Sequence, residues 1–203
     1  GDRINAWNAF GTTSINAVQT TTADKPRWET DSADLGSIAF PASIKYMDFS
    51  ADTTIAANAD FSIVTRIKSS NSTGALLGSA ETEFLRIHDN KTIRLKIDNT
   101  TIDFAESSDT FATDTYYTIV FSRTNGSTGD LNVYVNGGDY SDKDWDAAEN
   151  ATDAKNFVIS NLGSAADDAD DFRGFMKDII IYNGTALTAS DRAELYTYVE
   201  AQK

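Results

Sequence analysis

The sequence predicts an all-β protein, a two-sheet antiparallel β-sandwich of the jelly-roll type with a short C-terminal helix. Short runs in which apolar and polar residues alternate follow one another along the chain, separated by turns rich in Gly, Asn and Ser. Strands do not alternate with helices, so a parallel α/β sheet is not expected. With 203 residues, the chain has the length of one all-β domain. We therefore expect residues 1–203 to form a single domain in which residues 1–37 are an irregular lead-in.

The clearest alternating run lies at residues 61–68. Because successive side chains of an extended chain point to opposite sides, Phe61, Ile63 and Ile67 share one face. Two further runs flank a tight turn at residues 89–91 and predict a β-hairpin. All other runs predicted as strands before the last one are short: residues 38–40, 45–49, 75–78, 84–88, 92–97, 101–105, 116–123, 130–136 and 157–160.

The last predicted strand, within residues 172–182, is apolar on both faces. This composition predicts a strand inside a sheet that is covered on both sides. Strict alternation places Phe175, Ile179 and Ile181 on one face, which we expect to be buried in the core. Gly174 interrupts the run of side chains and indicates a bend, a bulge or a close approach of another backbone segment.

A short helix is predicted after this strand. Thr188 and Asp191 have the three-residue spacing of a capping box, in which each side chain accepts a hydrogen bond from the other residue's backbone. Leu195, Tyr198 and Val199 follow at helical spacing and give the helix one apolar stripe. We expect the helix at residues 190–199 to pack outside the two sheets.

Two stretches resemble the laminin-G-like domains of the concanavalin A-like lectin and glucanase superfamily. The run TYYTIVFSRTNGSTGDLNVYVNGG at residues 115–138 is similar to the central hairpin of that family. The end of the chain is similar to the family's last strand and the loop after it, at Phe172, Gly174, Met176, Asp178, Ile179, Ile181, Tyr182, Asn183, Leu187, Thr188 and Asp191. The resemblance implies a concanavalin A-like jelly roll. It also implies display outside a cell or on a virion, because similar modules are appended to bacterial surface proteins and to phage tail or capsid proteins.

The charge balance excludes several classes of partner. The formal net charge is −14, from 17 Lys and Arg against 31 Asp and Glu. Nucleic acids and anionic membranes are recognised by clustered cations, so neither is an expected partner. The sequence has no apolar run long enough to enter a membrane, and it has no Cys, which excludes disulfides and thiol chemistry.

Catalysis is not expected. Sandwich glucanases of the resembled superfamily carry three alternating acids on one strand, but Glu81 and Glu83 are not followed by a third acid at the required offset. His88 is the single His of the chain, and no Ser lies in a Gly-x-Ser-x-Gly elbow. The chain is therefore predicted not to be an enzyme.

Two acidic clusters are candidate Ca²⁺ sites. Asp142, Asp144 and Asp146 alternate in a segment predicted as a loop, as the ligands of Ca²⁺ loops do. Asp168 and Asp170 belong to a second acidic run just before the last strand. The resemblance adds that many of these sandwiches hold Ca²⁺ near a loop rim. The alternative, that both clusters are hydrated acidic loops of an acidic protein, stays open.

A glycan site is predicted near the first acidic cluster. Trp145 lies in a polar segment, and Tyr140, Asn136 and Asp139 are close to it in sequence, so an aromatic ring and hydrogen-bonding groups come together. The resembled lectins bind through loops at one end of the sandwich. The alternative for Trp145 is a partly buried anchor of its loop, whereas Trp7 and Trp28 are expected to pack against the sandwich.

These observations favour a non-catalytic recognition module. Its expected partner is a glycan or a surface protein, and its expected place is a cell surface or a virion. The alternative function belongs to a different class: a structural domain that decorates a phage capsid or tail protein without binding sugar. Under either hypothesis the domain is part of a larger virion or surface assembly.

Overall fold

The computed structural model describes residues 3, 6–8, 15–30, 33–41, 45–71, 73–89, 92–105, 111–125, 130–144, 155–164 and 171–201, with the backbone alone at 105, 130 and 139–144. Within these residues the chain forms antiparallel strands and one C-terminal helix, which confirms the predicted all-β sandwich. The strands are β1 Ala6–Trp7, β2 Ala17–Val18, β3 Arg27–Trp28, β4 Ile38–Phe40, β5 Met47–Ile55, β6 Phe61–Ser69, β7 Gly74–Ala80, β8 Glu83–His88, β9 Thr92–Ile97, β10 Thr100–Ala105, β11 Tyr116–Thr124, β12 Asp130–Val135, β13 Gly138–Asp144, β14 Phe157–Leu162 and β15 Gly174–Asn183, and the helix is α1 Ala189–Glu200.

The strands form two sheets. The 8-stranded sheet has the order β1-β2-β5-β14-β7-β8-β9-β10, and the 7-stranded sheet has the order β13-β12-β11-β6-β15-β4-β3. The last strand, β15, lies inside the second sheet between β6 and β4, as its two apolar faces predict. No helix in the described part of the chain is long and apolar enough to cross a membrane.

The main core fills the space between the sheets. Phe61 and Phe121 stack with ring centroids 5.8 Å apart, and Phe104 meets Phe121 edge-on at 5.6 Å. Ile63 and Ile67 are buried beside them, as the alternation of residues 61–68 predicts. The inward positions of both sheets thus remove large apolar side chains from water, which is the main stabilising contribution to such a sandwich.

A β-bulge in β15 corrects the predicted faces of that strand. The register with β6 shifts between Met176 and Asp178, so one extra residue enters β15 at this point. As a result Met176 is fully buried in the core, whereas Phe175 is half-buried on the outer face of the sheet. Ile179 packs against the core but is only partly buried. The prediction that Phe175 is a core residue was therefore wrong, because strict alternation ignores the bulge.

Helix α1 lies on the outer face of the 7-stranded sheet. Thr188 is its N-cap, and Thr188 and Asp191 form the predicted capping box. Leu187, just before the helix, packs with Val64 and Val120, which point away from the main core. The Leu187 backbone N–H donates to Ser62 Oγ at 2.9 Å and so fixes the entry to the helix on this face.

The lead-in contributes short strands to both sheets. β1 and β2 extend the 8-stranded sheet, β3 pairs with β4 at the edge of the 7-stranded sheet, and an isolated bridge joins Arg3 to Arg27. Trp7 packs against the main core as expected. Trp28 is 41% exposed, so the expectation that it packs against the sandwich was wrong. Trp28 lies in β3, the last strand in the order of the 7-stranded sheet, where within the described residues only the isolated bridge at Arg3 lies beyond it.

Candidate functional site

The predicted glycan residues lie around the β12–β13 hairpin. Asn136 occupies the turn with a positive φ of 51°, and its side-chain Oδ1 accepts a hydrogen bond from the backbone N–H of Thr118 at 3.0 Å. That bond gives the amide oxygen a structural role at the end of β11. Asp139 and Tyr140 belong to β13, where only the backbone is described, and Trp145 lies outside the described residues. The structure therefore does not test whether these four side chains come together.

Of the predicted Ca²⁺ residues, some lie in a described strand and the others lie outside the described residues. Asp142 and Asp144 are part of β13, opposite Asn132 and Asp130 of β12, so the predicted loop is a strand over these positions. The preceding turn, with positive φ at Asn136 and Gly137, closes a tight hairpin and brings the following residues into register. Asp146, Asp168 and Asp170 lie outside the described residues. Among the side chains that the structure describes, no group of three or more His, Cys, Asp or Glu could hold a metal ion.

A different set of side chains is brought together on the outer face of the 7-stranded sheet. Five residues are successive cross-strand partners on β11, β6, β15, β4 and β3: Tyr116, Lys68, Phe175, Ala39 and Arg27. Cross-strand partners share a face, so these residues form one row across the sheet, which we call the strip. Tyr116, Lys68 and Phe175 are half-buried, and Arg27 is exposed.

Lys68 is held between the two aromatic rings of the strip. Its Nζ lies 4.4 Å from the ring centroid of Phe175 and 5.3 Å from that of Tyr116, within the range of cation–π attraction. The Lys68 ammonium also pairs with Asp34 Oδ1 at 2.5 Å, and the Tyr116 hydroxyl donates to the same oxygen at 2.9 Å. These contacts fix the three side chains in one arrangement.

The next row of the sheet joins the strip to the end of the helix. Arg66, whose side chain is 4% exposed, forms an ion pair with Glu200 in the last turn of α1 and donates to Thr118 Oγ1 at 3.1 Å. The Arg66 guanidinium lies 5.2 Å from the Tyr116 ring centroid. Lys177, the residue at the bulge, lies 5.0 Å from the same ring. Three cations therefore surround Tyr116.

Burial sets the protonation of two groups here. Burial is the largest cause that raises the pKa of Tyr116, so at neutral pH its hydroxyl is protonated and serves as a donor. Burial also raises the pKa of Asp178, while the positive charges of Arg66 and Lys177 oppose that shift. The strip thus presents a neutral phenol and fixed cations.

Two carboxylates near the strip are engaged by cations of the sheet. Asp34 is bound to Lys68 and Tyr116, and Glu200 is bound to Arg66. On β8, the outward positions are occupied by Phe84, Arg86 and His88 in place of acids. Glu83 accepts a hydrogen bond from Ser79 at 2.9 Å. A glycosidase needs two carboxyl groups about 5–10 Å apart on either side of the scissile bond, and neither β8 nor β9 presents such a pair outward.

The outer face of the 8-stranded sheet is less suited to binding. Its aromatic residue, Phe84, is only 5% exposed and lies beneath Arg86, whose guanidinium carbon is 4.5 Å from the ring centroid. Arg94 on the same face is bound to both carboxylate oxygens of Asp103, at 2.6 and 2.8 Å. The Phe84 ring is thus buried, whereas the Tyr116 and Phe175 rings of the strip are half-buried and partly accessible.

Sequence reasoning missed the strip for two reasons. Phe175 turns outward only because of the bulge, and Gly174, which indicated a bend, a bulge or a close approach, did not show that an extra residue enters at Lys177. Arg27 lies in the lead-in, where a two-residue strand is too short to show alternation. The outward position of Lys68 did follow from the alternation of residues 61–68. Its neighbours could not be identified, because strand order does not follow from periodicity.

Comparison with known proteins identifies the fold. The family model of the concanavalin A-like lectin/glucanases superfamily, of the laminin G type, matches residues 42–191, more than half of the chain. A search of curated proteins found no match.

Three solved structures show the range of similar proteins. A native heptameric SAP-like pentraxin from Limulus polyphemus is 16% identical, with a TM-score of 0.61 over 83% of this chain and 84% of the pentraxin. A protein described as carbohydrate binding, from Bacteroides ovatus, is 14% identical, with a TM-score of 0.52 over 68% of this chain and 40% of that protein. A Trypanosoma rangeli sialidase mutant with trans-sialidase activity is 15% identical, with a TM-score of 0.58 over 92% of this chain and 30% of the sialidase. The chain thus spans less than half of the last two proteins.

Proposed function

Since the chain belongs to the concanavalin A-like lectin and glucanase superfamily, with a laminin-G-type model matching residues 42–191, we propose that it is a non-catalytic carbohydrate-binding module. Its place would be outside a cell or on the surface of a virion. The carbohydrate-binding description of the Bacteroides ovatus structure supports the same class of ligand.

The strip is the single observation that carries this proposal. A saccharide ring presents C–H groups on its faces and hydroxyl groups around its rim, so it is bound by aromatic rings together with fixed hydrogen-bonding groups. Tyr116 and Phe175 supply partly exposed rings, and the Tyr116 hydroxyl and Lys68 supply polar groups. Because Lys68 is already held by Asp34 and both rings, little side-chain freedom is lost when a ligand binds.

The lack of an outward acid pair on β8 and β9 supports binding without hydrolysis. The match to a sialidase does not alter this, because the chain spans only 30% of that enzyme. A glycosidase assay with the purified domain on β-glucans and sialosides therefore belongs beside the binding assay. We expect no turnover, and turnover would contradict the non-catalytic proposal.

A glycan array followed by calorimetry with the best-bound glycan tests the proposal. Phe175→Leu keeps an apolar side chain at the half-buried position but removes the ring, and we expect it to weaken binding about tenfold. Tyr198→Leu is the matched control, because Tyr198 is 60% exposed on helix α1 and lies outside the strip. We expect this control to bind as the wild type does.

Two results would contradict the proposal. Wild-type protein that binds no glycan on a broad array would favour the alternative, a structural domain that decorates a larger assembly. Equal losses in Phe175→Leu and Tyr198→Leu would show that the strip is not the binding surface. Circular dichroism and denaturation midpoints of both variants establish that each is folded at the assay temperature.

A further inference from the structure

We propose that the strip takes an acidic saccharide and that Arg27 binds its carboxylate. This inference rests on the proposed function and names the class of glycan. The observation behind it is an exposed cation, Arg27, at one end of the row, which pairs with none of the residues that the structure describes, whereas Lys68 in the same row is paired with Asp34.

The cations in and beside the strip differ in their partners among the described residues. Lys68 pairs with Asp34, Arg66 pairs with Glu200, and Lys177 stands with Asp178 beside the Tyr116 ring. Arg27 is exposed, and its side chain makes no hydrogen bond or ion pair with any residue that the structure describes. Its bridge partner, Arg3, adds a second positive charge at this end of the row.

The register places Arg27 at a suitable distance from the aromatic part of the strip. Phe175 and Arg27 are separated by one strand, β4, on which the intervening residue is Ala39. Neighbouring strands are about 4.8 Å apart, so the backbones of Phe175 and Arg27 are about 10 Å apart. The residue between them in the row, Ala39, has the smallest side chain of the strip and is buried, so a saccharide that reaches both Phe175 and Arg27 would lie across the surface of the strip rather than in a pocket.

The chemistry of one free arginine favours a carboxylate. The planar guanidinium matches a planar carboxylate with two parallel hydrogen bonds, which fixes the orientation of the bound sugar. A densely sulfated glycan would need several unpaired cations to overcome repulsion by a chain of net charge −14. Among the strip residues, Lys68 is already paired with Asp34, so Arg27 is the cation that the strip offers for this purpose.

The test compares uronic acid oligosaccharides with their methyl esters, which keep the ring and remove the charge. The probes are tetrasaccharides of galacturonate, glucuronate, mannuronate and guluronate, each as acid and as ester, measured by calorimetry. We expect the wild type to bind at least one acid about tenfold or more tightly than its ester, because a charge-assisted pair adds that much affinity. We expect Arg27→Gln to lose this preference while it still binds the ester.

The matched control is Arg94→Gln, which makes the same change of charge on the opposite sheet, where Arg94 is bound to Asp103. It should keep the preference for the acid. Equal affinity of wild type for every acid and its ester, or loss of the preference in both variants, would overturn the inference. So would binding of neutral glycans with no binding of any acid.

These results separate the two proposals. If acids and esters bind equally and Phe175→Leu weakens both, the glycan module stands and the assignment of Arg27 fails. If no saccharide binds at all, the proposed function itself fails.

Discussion

The Gly174→Ala variant measures how closely β15 approaches β6. Gly174 has a φ of +142°, a conformation that residues with a side chain rarely adopt. A Cβ added here would overlap the backbone carbonyl oxygen of Lys68 and lie 2.9 Å from the Cα of Ser69. Both atoms belong to the backbone of β6, so no side-chain rotation relieves the overlap.

The expected loss of stability follows from these two terms. The backbone conformation alone costs of order 1–3 kcal/mol for a residue other than Gly. Relief of the overlap requires β15 to move away from β6 near the Gly174–Ser69 pair, which loses one or two backbone hydrogen bonds of about 1 kcal/mol each. We therefore expect Gly174→Ala to lower the free energy of unfolding by about 2–5 kcal/mol.

Gly184→Ala is the control, at the other end of the same strand. Gly184 also has a positive φ, +87°, but no atom lies within 4 Å of the position that an alanine Cβ would take. The loss of unfolding free energy in Gly184→Ala should therefore come from the unfavourable backbone conformation alone, about 1–2 kcal/mol. Urea denaturation followed by tryptophan fluorescence measures both variants. A loss in Gly174→Ala no larger than that in Gly184→Ala would refute the close-approach argument.

Four further predictions concern stability and metal binding. Met176→Ala should lower the free energy of unfolding by about 2–5 kcal/mol in a denaturation experiment, because Met176 is fully buried. Ile179→Ala should lower it by less, because Ile179 is only partly buried, and the reverse order would contradict the bulged register. Thr188→Ala should cost about 1 kcal/mol through loss of the helix cap, whereas Thr185→Ala in the exposed loop should be neutral in thermal melts. Burial raises the pKa of Asp178, so the folded state is favoured at low pH, where the carboxyl is neutral, and this contribution is lost as the pH rises through the raised pKa. Asp178→Asn stays neutral at every pH, so its stability relative to wild type should increase between pH 3 and pH 7. A relative decrease would contradict burial as the cause of the pKa shift. If the acidic clusters bind Ca²⁺, millimolar Ca²⁺ should raise the melting temperature relative to a chelator, and an unchanged value would leave them as hydrated acidic segments.

The sequence predicted those features of the fold that depend on local pattern. The two apolar faces of β15 placed it inside a sheet, and of the three alternatives that Gly174 left open, a bend, a bulge or a close approach, the structure has a close approach to Lys68 at this residue. The capping box at Thr188 was confirmed because its signal is contained within four residues. Each of these predictions needed only a short stretch of chain.

Features that depend on one extra residue or on distant pairing could not be predicted. The bulge at Lys177 exchanges Phe175 for Met176 in the core without any change in composition. Strand β13 was taken for a loop because its acidic residues outweighed the Asn136-Gly137 turn signal before it. The strip required the order of five strands, which no periodicity contains.

The central place of β15 has a consequence for synthesis of the chain. While the ribosome is still making residues 1–173, β6 and β4 have no partner between them, because β15 supplies the pairs to both Ser69 and Phe40. The unpaired edge of β6 is rich in Phe, Ile and Val, the composition that favours pairing with other chains. Contacts this distant in sequence also slow folding, since a long loop must close before they form. The nascent chain therefore reaches its stable sheet only after β15 has emerged, and until then it depends on its high negative charge, or on a chaperone, to avoid association.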